Sequence, residues 1–396
     1  MRIILVLILG LYSQFSFAQW SKLNSGTTEE LNAIYFVDSN IGFTCGKNGY
    51  VGKTINGGSS WTDVSLSNAF NLFDLYFIDS LKGYVVGLNA LIYKTTDGGL
   101  SWQEDRPITG ESDLKSISFK DSTYGVAVGT EGKIFIYKNQ AWSKQSLSSR
   151  TNLNDVEINS DGFAVIGADS GKIYTKKQND NSFIPYPGYS STTPFTTVQF
   201  LDSVLYLSGG WYDDSLMEFT SHVLKSLDTG QFFSVLNTKD LEEIKRFHIV
   251  TEDKAYYLGR GTAFYNLEDN FSMKYRIFPA TNNSLNNFHF LTKDIVFACG
   301  VAGTIVKTNH SPGWNTNINA LNGNDLVYPN PTKDYLYINS KTSIKEIRLY
   351  DSHGKIVLSQ VNKEGTIDVI GLKNGFYTLE IKDIKGQLRR TKIIKF

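Results

Sequence analysis

Short runs in which apolar and polar residues alternate recur along the chain. The clearest is Leu31-Asn32-Ala33-Ile34-Tyr35-Phe36. It is echoed by Leu72-Phe73-Asp74-Leu75-Tyr76-Phe77 and by Leu114-Lys115-Ser116-Ile117-Ser118-Phe119. A period of two predicts strands. Strict alternation puts Leu31, Ala33 and Tyr35 on one face, and Asn32, Ile34 and Phe36 on the other. Both faces carry apolar residues, so such strands should be covered on both sides. After each run come an acidic turn, then Gly with an apolar residue, then a short apolar segment that ends in Gly, as in Gly42-Phe43 to Gly46 and Gly83-Tyr84 to Gly87. A further run ends in Lys53-Thr54 and in Lys94-Thr95.

Weaker copies start at Leu153, Phe195, Ile244 and Leu285, which makes seven. Successive starts are 41, 42, 39, 42, 49 and 41 residues apart. Four strands per unit at this period are the signature of a propeller blade. A blade held between two others also meets the demand for cover on both faces, which an open stack or a sandwich does less well. The expected fold is therefore all-β: a seven-bladed β-propeller, followed by a small C-terminal Ig-like β-sandwich. Ring closure leaves one strand too many. Residues 20–24 and residues 314–319 both read as a fourth strand for the seventh copy, and the N-terminal one is favoured because it ties both ends of the chain into the ring.

Two turns share the pattern Ser/Thr-x-Asp/Asn-x-Gly-x-Ser/Thr-Trp. They are Thr54 to Trp61, with Asn56 and Gly58, and Thr95 to Trp102, with Asp97 and Gly99. An Asp or Asn side chain can accept backbone amides within such a turn, and Gly supplies positive φ. The Trp then starts the next strand and buries a large ring. This resembles the Asp-box of sialidases and related propellers, where it is a folding element between the third and fourth strands. Ser226 to Phe233 reads as a degraded copy, as does Thr308 to Trp314; copies three, four and six lack it. The whole repeat, residues 20–319, also resembles the propeller of photosystem II stability and assembly factors.

Near Asn324 the pattern changes. Val327-Tyr328-Pro329-Asn330-Pro331 opens a segment of dense short strands, with an Asp351-x-x-Gly354-Lys355 turn, a Gly375-Phe376-Tyr377 strand and a basic end. Short strands with turn signals at this density indicate a small sandwich. From Asp325 onward there are 13 basic and 8 acidic residues. Between Gln19 and Asn324 there are 25 and 31, so the two parts carry opposite net charge, as suits separate units. The ordered motifs resemble the type A C-terminal sorting domain of type IX secretion, found in Bacteroidota. That resemblance implies handling by the type IX machinery, export across the outer membrane, and removal of the tail with release or attachment to surface lipopolysaccharide. A fibronectin-like adhesive module is the alternative. Residues 1–18 have a short positive start, an apolar run and Ser16-Phe17-Ala18 at the cut, as a secretory signal peptide does. The expected organisation is residues 1–18 signal peptide, 19–320 propeller and 325–396 sorting domain. The chain is expected outside the cell or on its surface, as a monomer, with no transmembrane helix.

Equal numbers of basic and acidic residues, 39 of each, give no bulk charge for nucleic acid. Two cysteines and five histidines make a structural zinc cluster unexpected, and no cofactor or metal is expected. Cys45 and Cys299 occupy matching positions in copies one and seven. Equivalent side chains point the same way around a ring, so they should be free and buried. His248 and His289 hold matching positions in neighbouring copies and read as polar lining, with a metal site as the alternative.

Sialidase chemistry needs an arginine cluster and a Tyr/Glu pair. Asp105-Arg106-Pro107-Ile108 is not the Phe/Tyr-Arg-Ile-Pro motif of that family, and Arg246, Arg260 and Arg276 all fall in copy six. Asp74, Asp113 and Asp155 sit in or just before first strands and read as solvated strand-end charges, a carboxylate-pair glycosidase being the alternative. No catalytic residue is assigned. The extra length of copy five, Gly209 to Ser215, together with the segment 179–194, puts Trp211, Tyr212, Tyr186 and Tyr189 on one rim. There they could bind a glycan or a surface protein, or simply cover their own loops. The function expected is a secreted binding or interaction module; a glycan-cleaving hydrolase or a structural surface component are the alternatives.

Overall fold

The computed structural model describes residues 20–308 and 325–395, apart from short stretches within each range such as 107–111, 214–217 and 237–240. It separates into two compact units, Trp20–Pro312 and one that includes Gly313–Phe396. The expected signal peptide lies outside the described residues, as do the last Asp-box copy beyond Thr308 and residues 314–319.

Among the described residues, the first unit consists of seven four-stranded antiparallel sheets. Their first strands are Leu31–Phe36, Leu72–Phe77, Leu114–Asp121, Leu153–Ile158, Thr197–Leu201, Arg246–Thr251 and Leu285–Thr292. Six sheets are made of consecutive strands. The seventh borrows its outer strand: Trp20–Leu23 pairs antiparallel with the end of the chain's seventh repeat, Trp20 opposite Thr308 and Leu23 opposite Ile305. Each first strand packs against the next, and that of the seventh sheet packs against that of the first. The ring therefore closes through the N-terminal strand, the option favoured from sequence.

Strict alternation is broken in the first strands. In repeats one, two, three, four and seven, the pairing with the second strand shifts between the first and third residues, as at Leu31 and Ala33. This β-bulge changes the parity of the faces. Leu31, Ile34 and Phe36 are all buried, while Asn32 and Tyr35 are half-buried. Asn32 thus does not share a face with Ile34 and Phe36, contrary to the alternation rule.

The two Asp-box turns are built as their residues demand. Gly58 and Gly99 donate to Thr54 Oγ1 and Thr95 Oγ1 at 3.0 and 2.8 Å, and Ser60 and Ser101 donate to Asn56 Oδ1 and Asp97 Oδ1 at 2.9 and 3.0 Å. These bonds hold the Asp97 carboxyl well below the usual range, the Ser101 hydroxyl being the largest cause. The copy in repeat five is less degraded than its sequence suggests: Gly230 donates to Ser226 Oγ at 2.8 Å and Phe232 to Asp228 Oδ1 at 2.9 Å. Each turn leans on the preceding sheet. Lys307 Nζ donates to the Gly57 carbonyl at 3.2 Å, and a Cβ on Gly99 would lie 2.6 Å from the buried Phe43 ring. Gly99 also has φ +77. Gly99→Ala is therefore expected to cost about 2 kcal/mol in chemical denaturation, from positive φ and overpacking together.

Cys45 and Cys299 are buried and free, in separate apolar clusters. Burial pushes the Cys299 thiol up to about 12.

The second unit has a three-stranded and a four-stranded sheet around Leu336, Ile347, Leu349, Ile367, Leu379 and Ile381. Lys355 N–H donates to Asp351 Oδ1 at 3.0 Å, while the residues between them lie outside the described ones. The Gly375-Phe376-Tyr377 run opens the strand Gly375–Asp383. Among the described residues no helix is long and apolar enough to cross a membrane.

Candidate site at the ring axis

The bulge has a functional consequence. In the five repeats that carry it, it turns the second residue out of the packed interface and toward the axis; in repeats five and six the second residue, Thr196 or Lys245, just precedes the strand. Asn32, Phe73, Lys115, Asn154, Thr196, Lys245 and Asn286, one from each repeat, converge on a pocket of about 410 Å3. Arg246, Asp113, Asp169 and Pro194 complete its lining. It lies on the face of the turns joining second to third strands, opposite the Asp-boxes.

Most of these side chains also fasten one repeat to the next. Asn32 Nδ2 donates to the Leu72 carbonyl at 2.7 Å, Asn154 Nδ2 to Phe195 at 3.1 Å, Thr196 Oγ1 to Ile244 at 2.9 Å and Asn286 Nδ2 to Leu31 at 3.0 Å. Lys115 Nζ donates to Asn154 Oδ1 at 3.0 Å.

Below the mouth, third and fifth positions carry charge. Asp155 accepts from Ser116 Oγ at 2.7 Å and from Val198 N–H at 2.8 Å, and Arg246 Nη1 stands 3.7 Å from it. Asp74 accepts from Ile117 N–H at 3.0 Å. These aspartates are not free strand-end charges: Asp155 is buried, Asp74 is half-buried, and each accepts a backbone N–H from another repeat. Burial, partly offset by Arg246, raises the Asp74 carboxyl to about 6 and also raises Asp155. Glu157 rises to about 8, from burial first and then from Asp155 and Asp74. No hydrogen bond reaches its carboxyl among the described residues. Asp113 does sit at a strand end, where its Oδ1 accepts from Asn89 N–H at 3.2 Å.

Glu157 therefore works against folding near neutral pH. Its folded value lies above the ordinary 4.5, so the stability present below 4.5 is lost progressively as pH rises toward 8. Glu157→Gln is expected to stabilise the protein by about 2 kcal/mol at pH 7 and to flatten that slope, read from urea midpoints between pH 5 and 8.

His248 and His289 hold the fifth position of their repeats, as Glu157 does. Burial lowers them to about 3 and about 4, so both are neutral, as polar lining should be. His248 stacks on Phe290 at 4.5 Å, and His289 meets Tyr35 at a tilt, with ring centroids 4.7 Å apart. Among the described residues no group of three His, Cys, Asp or Glu side chains could hold a metal.

The rim aromatics divide. Tyr186 packs edge-on to Phe233 at 5.0 Å. Tyr189 OH is 2.7 Å from His222 Nδ1 and its ring is 5.6 Å from Phe195. Both tyrosines lie against a buried cluster of Val165, Ile173, Phe195 and Leu224. The extra residues of repeat five lengthen a hairpin: Val204–Asp213 pairs with Glu218–Ser226, out to Asp213 opposite Glu218. Trp211 and Tyr212 stand in that extension, opposite Thr220 and Phe219; their side chains are outside the described residues. Of the arginines weighed for sialidase chemistry, Arg246 lines the pocket, while Arg106 pairs with Glu104 and bonds the Asn89 carbonyl. Arg260 is exposed. The Arg276 side chain is outside the described residues.

The axial pocket was missed in sequence because alternation assigned Asn32 to a covered face. The available signal was the polar second residue after a buried apolar one, repeated as Asn32, Lys115, Asn154, Thr196, Lys245 and Asn286.

Comparison with known proteins agrees with this architecture. Residues 59–184 match the family model described as photosynthesis system II assembly factor YCF48. Residues 326–395 match the secretion system C-terminal sorting domain. Similar solved structures include YCF48 bound to D1 peptide, with TM-score 0.59 and 16% identity over 73% of this chain and 96% of that one. YCF48 from Cyanidioschyzon merolae gives 0.58 and 16%, over 73% and 98%. The computationally designed Ika8 protein gives 0.52 and 18%, over 70% and 83%. No curated protein matches. At these identities the likeness shows the fold. The sorting domain implies secretion to the cell surface or the extracellular space. The chain thus joins a propeller similar to those of YCF48 proteins to a type IX C-terminal sorting domain.

Proposed function

We propose that this chain is an exported, seven-bladed propeller that serves as a non-enzymatic interaction module, gripping a segment of a polypeptide partner at the axial mouth. The observation that carries the reading is the pocket itself: one side chain from every repeat reaches it, so it exists only in the closed ring. Such a mouth, held rigid by inter-repeat hydrogen bonds, suits a preformed recognition site. A similar propeller has been seen with a peptide bound. The carboxylates that a hydrolase would need are committed instead: Asp155 is locked by Ser116, Val198 and Arg246. Trp211 and Tyr212, on a hairpin that extends past the same face, are proposed as a second contact. The propeller is proposed to act as a monomer, with an Ig-like tail that serves export.

The test places a photo-crosslinking p-benzoylphenylalanine at Phe73, in the mouth, or at Lys22, on an outer strand, in the secreted protein. Ultraviolet-dependent adducts to a recurrent polypeptide from Phe73 and not from Lys22 are expected. No adduct at Phe73, or equal adducts at both positions, would sink the reading.

A further inference from the structure

We infer that the axial mouth selects a carboxylate carried by a polypeptide, an aspartate or glutamate side chain, and that Lys245 is the residue that grips it. The inference rests on the reading of the mouth as the contact site. Five charged side chains line the pocket: Asp113, Asp169, Lys115, Lys245 and Arg246.

Their bonding decides what is left for a ligand. Both oxygens of Asp169 are occupied, by Asn154 Nδ2 at 2.8 Å and Asn152 Nδ2 at 2.9 Å. Asp113 accepts a backbone N–H, and Lys115 is bonded to Asn154. Arg246 Nη1 reaches the Thr196 carbonyl at 3.4 Å and stands 3.7 Å from Asp155, so its charge is partly matched from below. The Lys245 ammonium has neither ion pair nor hydrogen bond among the described residues, although it stands half-buried in the pocket wall. Asn154 spends its amide on Asp169 and the Phe195 carbonyl, Asn286 on Glu30 and the Leu31 carbonyl, and Thr196 its hydroxyl on the Ile244 carbonyl, while Asn32 spends one of its two N–H groups on the Leu72 carbonyl. An incoming hydroxyl finds few free donors. An incoming cation finds the acidic oxygens largely satisfied.

The unspent valence of the mouth is therefore cationic: it is the Lys245 ammonium, with the rest of the Arg246 fork beside it. A point charge beside a planar guanidinium suits a carboxylate. Asp74 and Asp155, one residue further along their strands than the lining residues Phe73 and Asn154, repel an anion, which holds the ligand group at the mouth. Phe73, from repeat two on the other side of the ring, offers a ring surface for the methylenes of a glutamate.

The experiment measures fluorescence anisotropy of a labelled hexaglutamate peptide with the full secreted chain. Hexaglutamine and hexagalacturonate are run as separate probes, at 50 and 300 mM salt. Hexaglutamate is expected to bind, weakening with salt, and to lose at least tenfold in affinity in Lys245→Ala. Lys245→Arg should retain binding, and Lys22→Ala should not change it. The half-buried, unpartnered Lys245 can be removed without loss of the fold, which a thermal melt confirms. Equal affinity of wild type and Lys245→Ala overturns the inference, as does no hexaglutamate binding or tighter hexagalacturonate binding. If hexaglutamate fails while the Phe73 crosslinks persist, carboxylate selection falls and the interaction reading stands. If both fail, both fall.

Discussion

Replacing Trp20 by alanine is expected to destabilise the propeller by about 4 kcal/mol, the range for a large aromatic removed from a core. Trp20 is 6% exposed and meets Phe264 edge-to-face at 5.4 Å. Its cluster mixes Tyr256, Leu258, Phe264 and Ile277 from repeat six with Phe288, Val296 and Val306 from repeat seven. A residue near the N-terminus therefore cements the last two sheets to each other. It does so from the strand that completes the seventh sheet, so the loss is felt at the seam of the ring. A denaturation midpoint measures the cost. Limited proteolysis should show repeat seven cut first. A loss below about 1 kcal/mol would mean that Trp20–Leu23 is a dispensable edge.

Asp155→Ala is expected to cost about 3 kcal/mol, because it strands three partners at once. Ser116 Oγ and Val198 N–H lose their acceptor, and Arg246 loses the carboxylate 3.7 Å away. These partners belong to repeats three, five and six, so one side chain in repeat four ties together four first strands. Asp155→Asn retains an acceptor oxygen and should cost about half as much. The contrast with Glu157 is one of partners: both are carboxyls of the strand Leu153–Ile158, but Glu157 has no hydrogen bond to lose among the described residues, so its neutral analogue stabilises. If Asp155→Ala and Glu157→Gln shift stability in the same direction, this division of roles is wrong.

Much of the fold was legible because its signals are local and repeated. The spacing of Leu31, Leu72 and Leu114 fixes the unit, and the Thr54 and Thr95 turns write their own hydrogen bonds. The pairing of residues 20–23 followed from counting strands, and the free state of Cys45 and Cys299 followed from ring geometry. What escaped was non-local or depended on a shift of one residue. A bulge at Leu31–Ala33 reverses which side chains face inward, and nothing in the alternation announces it. Asp74 and Asp155 look like strand-end charges until several first strands converge around them. Repeat five keeps its Asp-box bonds although Phe233 replaces the Trp, because the bonds come from Ser226, Asp228 and backbone amides. Tyr186 and Tyr189 read as rim aromatics, yet each contacts its own surroundings, since exposure cannot be read from residue type alone.

The most direct test of the account is hydrogen–deuterium exchange on the full secreted chain, alone and with the polypeptide that crosslinks to Phe73. Protection should appear in the peptides covering residues 30–33, 71–74, 113–116 and 244–247, which form the mouth, with the Asp-box turns at 54–61 and 95–102 unchanged. Protection confined to the Asp-box turns, or none in the first strands, would contradict it.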